Sequence, residues 1–178
     1  MNQSSEKNIC TRCIMDDSVP DITYNEDGVC SYCREFESRA GKVLFDDTDR
    51  EQRFNDLIAE IKRQRKPGSQ YDCIVGVSGG VDSSWVLHLA VEQGLKPLAV
   101  HMDNGWNSEL ATNNINNLIN ALGVDLYTHV INWKEYRSLM QAFFDANVVD
   151  VELLYDNAMM AVNYEQTAKH GLRYILAG

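Results

Sequence analysis

The sequence predicts an α/β fold: a parallel sheet of the Rossmann-like kind, carrying a small cysteine-rich appendage at its amino end. Three observations predict it. Short apolar runs alternate with amphipathic stretches from residue 71 onward, the pattern of strands crossing over through helices. Glycines stand where strands turn into helices and where helices stop. The four cysteines nearest the start form two CxxC pairs, Cys10/Cys13 and Cys30/Cys33, well apart from the alternating region.

The appendage comes first. In a tetrahedral zinc site, one tight turn aims two sulfurs at an ion and a second turn supplies the other two. Turn residues flank both pairs: Asp16, Asp17, Ser18 and Pro20 after the first, and Asn25 to Gly28 before the second. Ile22 and Tyr24 alternate with polar neighbours, as in a short hairpin strand. A redox dithiol or a pair of disulfides is the alternative. Five cysteines in 178 residues are too sparse for a secreted disulfide scaffold, so Zn²⁺ on Cys10, Cys13, Cys30 and Cys33 is the expectation. The domains are then residues 1–40 as the zinc module, 41–70 as a linking helix and 71–178 as the main α/β body.

The linking helix has the cluster Asp46, Asp47, Thr48 and Asp49 at its start, with Thr48 and Glu51 spaced as a capping box. Phe54, Leu57, Ile58 and Ile61 supply its apolar face. The basic run 62–66 and then Pro67-Gly68 close it. A solvated helix end is the plain account of that run; contact with phosphate is the other.

In the main body, strands are expected at 71–77, 97–102, 125–131 and 172–176. Helices are expected at 82–93 (Trp85, Val86, Leu89 and Ala90 inward), 108–122 (Leu110, Ile115, Leu118, Ile119 and Leu122 inward), 135–146 and 158–170. Cys73, inside the first strand, is expected to be a small buried hydrophobe. The chain stops just after a strand end, where doubly wound sheets place ligand-binding loops. That predicts the amino-terminal portion of a longer protein.

Charge and hydropathy narrow the function. The formal net charge is −10, which disfavours a broad polyanion-binding surface. No apolar run is long enough to span a bilayer, and residues 1–8 lack the apolar core of a signal peptide or anchor. A cytoplasmic protein is expected.

The chemistry concentrates at 78–84, between the first strand and its helix: Ser78, Gly79, Gly80, Val81, Asp82, Ser83 and Ser84. Paired glycines let the backbone approach a ligand closely. The helix start offers unpaired N–H groups and partial positive charge, and the serines add hydroxyls. This is an anion cradle, suited to phosphate. Asp82 has the wrong sign for phosphate alone and the right one for Mg²⁺ bridging it to a polyphosphate. An ordinary glycine turn with a serine cap is the plain alternative. Neither GxxxxGK[ST] nor GxGxxG occurs.

The second strand ends in His101, Met102, Asp103, Asn104, Gly105 and Trp106, in position to face the same crevice. Asp103 is either a crevice acceptor or a loop cap. His101 is a packed residue rather than a base, and Trp106 either stacks on a ring or covers the edge of the core. Asp150 and Glu152, two carboxylates ahead of the last helix, either meet substrate together with Asn157 or are solvated. Asp156 or Asn157 is expected to cap that helix.

The run SGGVDSS resembles the signature of the PP-loop ATP pyrophosphatases, the adenine-nucleotide alpha-hydrolase-like superfamily. With the paired CxxC, VHMDNGWNS, DVELLYDNAMMAV and KHGLRYILAG, nearly the whole chain resembles the amino-terminal part of an N-acetyl sugar amidotransferase of the lipopolysaccharide and flagellin-glycan type. That resemblance implies ATP as substrate, with residues 78–84 holding its pyrophosphate, Ser78, Asp82 and Ser83 acting in catalysis, and Asp103 and Gly178 near the nucleotide. It implies conversion of a sugar acetamido group, possibly on a nucleotide carrier, to an acetamidino group. Ammonia would come from a separate glutaminase through a cyclase-like subunit. No Cys-His nucleophile pair here would make ammonia.

The rival is a tRNA-thiolating PP-loop enzyme, which commonly needs a further cysteine near the crevice. No cysteine follows Asp103, and residues 71–178 carry a net −7. A non-enzymatic zinc-ribbon binding module is the third possibility.

Overall fold

The computed structural model describes residues 7–44 and 46–178. The expectation for residues 1–8 falls mostly on positions outside them. The chain divides into two compact units, Met1–Phe54 and Asn55–Gly178.

In the first unit, single bridges join Ile9 to Asp16 and Tyr24 to Cys30, both antiparallel. The expected strand at Ile22 and Tyr24 shrinks to one of these bridges, because Tyr24 and Cys30 are already brought together by the turn at Gly28 (φ +75°). Helix α1, Ser31–Val43, follows. Its N-cap is Cys30, whose Sγ accepts from the Cys33 N–H at 3.4 Å. Tyr32, Phe36 and Ala40 lie along one side at i, i+4 spacing, and Arg39 pairs with Glu35 at 2.8 Å.

Helix α2 spans Asp47–Arg63. Its cap is Asp46, whose Oδ1 accepts from the Asp49 N–H at 2.8 Å. The expected capping box on Thr48 does not form, because the helix begins one residue before it. Ile58 and Ile61 are buried, as patterned, while Leu57 is exposed. In the basic run, Arg65 pairs with the buried Asp72 at 3.2 Å, and Asp72 also accepts from the Lys96 N–H at 2.8 Å. Arg65 therefore neutralises a buried carboxylate.

The second unit is a four-stranded parallel sheet in the order β3-β2-β1-β4: β1 Cys73–Gly76, β2 Pro97–Asp103, β3 Asp125–Val130 and β4 Ile175–Leu176. β1 and β4 are shorter than their apolar runs because the pairing frays into single bonds, such as Val77 N–H to Val100 O at 2.9 Å. Helix α3, Val81–Glu92, links β1 to β2, and α4, Glu109–Leu122, links β2 to β3. Helices α5, Trp133–Asp145, and α6, Leu153–Lys169, lead back to β4 on the far side of β1. That reversal places a topological switch between β1 and β4, where ligands bind beyond the strand ends.

Alternation along β2 separates the two faces. Leu98, Val100 and Met102 join Ile74, Tyr71 and Val162 of α6 in one core. His101 and Asp103 face Ile115 and Ile119 of α4. On α3 the buried line is Ser83, Leu87 and Ala90. Trp85, expected inward, is 57% exposed and lies against the His88 ring, because it stands about half a turn around the helix from the buried Ser83, Leu87 and Ala90 line. Leu110 of α4 is likewise exposed while Ile115 is buried. Cys73 is fully buried, as expected. Burial, and then the neighbouring Asp72, push its thiol up to about 12.

Helix α6 begins five residues earlier than expected. Its N-cap is Glu152, without a side-chain cap bond. Asp156 and Asn157, expected as caps, lie inside the first turns, and Asn157 Nδ2 donates back to Leu153 O at 2.7 Å. The buried face of α6 includes two amides, Asn163 and Gln166. Their side-chain oxygens have no partner among the described residues. No described helix is long and apolar enough to cross a membrane.

Candidate active site and zinc centre

The loop after β1 is held by its own atoms. Gly79 adopts φ +82°, which side-chain-bearing residues avoid. Gly80 is the α3 N-cap, and no side chain caps it. Buried Ser83 ties the turn together: its Oγ accepts from the Ser78 N–H at 3.2 Å, lies 3.1 Å from Ser78 Oγ and donates to Gly80 O at 3.4 Å. Ser84 Oγ donates to Gly80 O at 2.7 Å, and the Gly80 N–H donates to Ser78 Oγ at 3.3 Å.

The hydroxyls expected to greet an anion are thus largely occupied in shaping the turn. The first intrahelical bond runs from the Ser84 N–H to Gly80 O at 3.2 Å. The amides of Val81, Asp82 and Ser83 precede it and are the donors a helix start offers to an anion. Val81 and Asp82 are exposed. Asp82 fits a Mg²⁺ ion shared with phosphate oxygens, since such ions are commonly held by one or two carboxylates plus substrate.

Two neighbours fix the loop in place. A Cβ on Gly79 would lie 2.5 Å from Ala111 O in α4, and Asn114 Nδ2 donates to Gly79 O at 3.1 Å. Sequence reasoning missed Asn114, which sits in the asparagine-rich stretch of α4 with nothing local to mark it. At the other side, Gly178 beyond β4 approaches α3 closely: a Cβ there would lie 2.5 Å from Asp82 O. The loop and Gly178 therefore meet at the β1/β4 switch.

The β2 end adds a second group. Asp103 Oδ1 accepts from the Gly105 N–H at 2.9 Å and from Asn107 Nδ2 at 3.1 Å, so in this structure it caps its own loop. His101 Nδ1 lies 2.8 Å from Val77 O, and its Nε2 lies 3.0 Å from Asn107 Nδ2. A carbonyl can only accept, so Nδ1 carries the proton and Nε2 accepts from the amide. His101 is a buried bridge, as expected.

Trp106 is 64% exposed and meets Trp133 edge to face at 5.6 Å. Glu152 lines a cleft with Trp106, Tyr136 and Tyr155; Asp150 and Asn157 do not line it. Burial first, and the Glu152 charge second, raise the Tyr136 hydroxyl.

In the first unit, the Sγ atoms of Cys10, Cys13, Cys30 and Cys33 all lie within 4.8 Å of one another. Cys13 and Cys30 are 3.8 Å apart, and Cys10 and Cys33 4.0 Å. Zn–S bonds of about 2.3 Å put tetrahedral sulfurs about 3.8 Å apart, so the four fit zinc. All are free thiols, so the disulfide alternative does not form here. Backbone N–H groups of Cys30 and Arg12 point at Cys10 Sγ, at 3.2 and 3.4 Å. Burial opposes ionisation of that thiol, but these N–H groups outweigh it and bring it to about 6. Burial and the adjoining sulfurs push Cys33 up to about 12. Four thiolates this close repel one another unless a cation lies between them.

Residues 54–177 match the NAD synthase family. The chain belongs to that family. NAD synthases are PP-loop proteins, so the 78–84 loop falls within the matched region; the four cysteines lie outside it. Among solved structures, an NMN synthetase from Francisella tularensis is 19% identical with a TM-score of 0.52, covering 73% of this chain and 53% of its own. An NH3-dependent NAD synthetase from Campylobacter jejuni subsp. jejuni is 20% identical with a TM-score of 0.53, covering 73% and 56%. A glutamine-dependent NAD+ synthetase from Acinetobacter baumannii is 20% identical with a TM-score of 0.50, covering 66% and 22%. At these identities the likeness to the NAD synthase family's structures is one of fold. The chain spans about half the length of the first two. No curated protein matches it.

Proposed function

We propose that this chain is the ATP-binding part of a PP-loop amidotransferase that converts the acetamido group of an N-acetyl sugar to an acetamidino group. The observation that carries the reading is the 78–84 loop: a turn braced by Ser83 and Asn114 at the sheet's switch point, whose helix-start amides precede the first intrahelical bond. Membership in the NAD synthase family supports ATP use and amide chemistry. The sugar assignment rests on the resemblance carried by the VHMDNGWNS and DVELLYDNAMMAV segments.

On this reading the acetamido oxygen attacks the α-phosphorus of ATP and pyrophosphate leaves into the loop. Ammonia then adds to the activated carbon, AMP departs with the former acetamido oxygen, and a proton is lost to give the acetamidine. Adenylation turns a poor leaving group into a good one. The Val81, Asp82 and Ser83 amides stabilise charge on the departing pyrophosphate without rearranging, since the turn is already formed. Mg²⁺ held by Asp82 would neutralise charge on the same phosphates. Ser78 and Ser83 act by holding the turn, and Asp103 and Gly178 border the nucleotide. Asp150 and Asn157 lie outside the aromatic cleft, which leaves Glu152 as the carboxylate best placed for substrate.

Residues 1–40 form the zinc-binding module on this reading, 41–70 the linking helix and 71–178 the catalytic body, with ammonia from a separate glutaminase and a channelling subunit. Cys73, fully buried with a raised thiol, is a poor sulfur carrier, which argues against the tRNA-thiolating alternative. The test is incubation of the full-length protein with ATP, ammonia and N-acetyl sugars. AMP release with replacement of oxygen by NH in the sugar, read by mass spectrometry, is expected. ATP cleavage that proceeds equally without sugar would remove the sugar as substrate.

A further inference from the structure

The cleft beyond β2 holds chemistry that the phosphate loop does not use. Asn104, Trp106 and Asn107 from the β2–α4 segment, Tyr136 from α5, and Glu152 and Tyr155 at the start of α6 line an open cavity of about 360 Å³. That is the small end of the range for ligand pockets. Trp106 is held at both ends: its backbone N–H donates to Asn104 Oδ1 at 3.0 Å, and Trp133 braces its ring edge to face. Yet the indole is 64% exposed. Glu152 is exposed too, and its carboxylate has no hydrogen-bond or ion-pair partner among the described residues. No Lys or Arg lines the cavity.

We propose that this cleft is the acceptor site and seats a pyranose ring, with Trp106 stacked on one face of the ring and Glu152 accepting from its hydroxyls. This deepens the function proposed above and rests on it. A pyranose presents a face of polarised C–H bonds and an edge of hydroxyl pairs. The negative face of an aromatic ring attracts the first, and a carboxylate, which only accepts, takes the second. Asn104 and Asn107 add amide donors and acceptors at the rim. A phosphate-rich ligand suits the cleft poorly, because the only ionised group lining it is an anion.

The probe is the methyl glycoside of N-acetylglucosamine, followed by saturation-transfer NMR on this chain. Saturation is expected at the ring C–H protons. Trp106→Ala and Glu152→Gln should each weaken binding about tenfold, as loss of one ring stack or one charged hydrogen bond would. Trp106→Tyr should retain most of it, since an aromatic face remains. Absence of saturation, equal binding by all three variants, or displacement of the glycoside by adenosine overturns the assignment. ATP–Mg²⁺ binding measured in parallel separates the two failures. ATP binding without a sugar signal sinks the cleft alone, while absent ATP binding sinks the proposed function with it.

Discussion

Gly79 and Ala111 come so close that a single methyl group could not be placed between them. A Cβ on Gly79 would sit 2.5 Å from the Ala111 carbonyl oxygen and 2.9 Å from its Cα, and both are backbone atoms that cannot swing aside. The loop after β1 is therefore seated on α4 as well as on its own strand.

Gly79→Ala meets two obstacles, the positive φ and the Ala111 backbone. It should destabilise the second unit by about 2 kcal/mol or more and abolish ATP binding. Urea melting and an ATP titration check this; a variant that melts and binds as the parent does would mean that the loop tolerates displacement.

Asn114→Ala removes the amide that donates to Gly79 O. A hydrogen bond of this kind contributes about 1 kcal/mol, so ATP binding should weaken about fivefold, with zinc content unchanged. Asn114→Asp should be no better, since a carboxylate cannot donate. Titrations of both variants against the parent decide the point.

Asp82→Ala in the full-length enzyme should abolish amidation and leave zinc content intact, because Asp82 and the cysteines lie in different units. Turnover assays beside metal analysis test it, and unchanged turnover would take Asp82 out of the mechanism.

Cys13→Ser or Cys30→Ser should lower zinc to well below one equivalent per chain, because a four-thiolate site loses a ligand that hydroxyl does not replace. A strong chelator should unfold the first unit and spare the melting of the second. Metal analysis and melting curves report both effects.

Arg65→Met leaves Asp72 with a buried carboxylate and only the Lys96 N–H for company. Breaking such a pair costs about 3 kcal/mol. The loss should appear in urea melting, while ATP affinity per folded molecule stays constant.

Legibility in the sequence followed how local each cause was. The four body strands are legible because β1 and β2 are nearly continuous buried apolar runs, and because helix-stopping glycines, Gly123 and Gly171, stand just before the more polar β3 and the short β4. The paired CxxC and the SGGVDSS loop were visible because each function is packed into a few consecutive residues. Helix α1 was missed because its cap is a cysteine, Cys30, whose role as metal ligand hid its role as helix start; the Tyr32, Phe36 and Ala40 spacing was the available signal. The start of α6 was missed because no Ser, Thr, Asp or Asn caps it. Trp85 reads as inward because the true inward line runs through Ser83, whose hydroxyl gives no apolar signal, and an apolar pattern drawn without it is rotated around the helix. Asn114 was invisible because its partner, Gly79, lies 35 residues away and meets it only through the fold.

His101 spans the gap between the turn after β1, through Val77 O, and the turn after β2, through Asn107. The two turns are consequently one jaw, not two fingers. A displacement of either turn is therefore passed to the other through the imidazole, which acts as a crossbar between them.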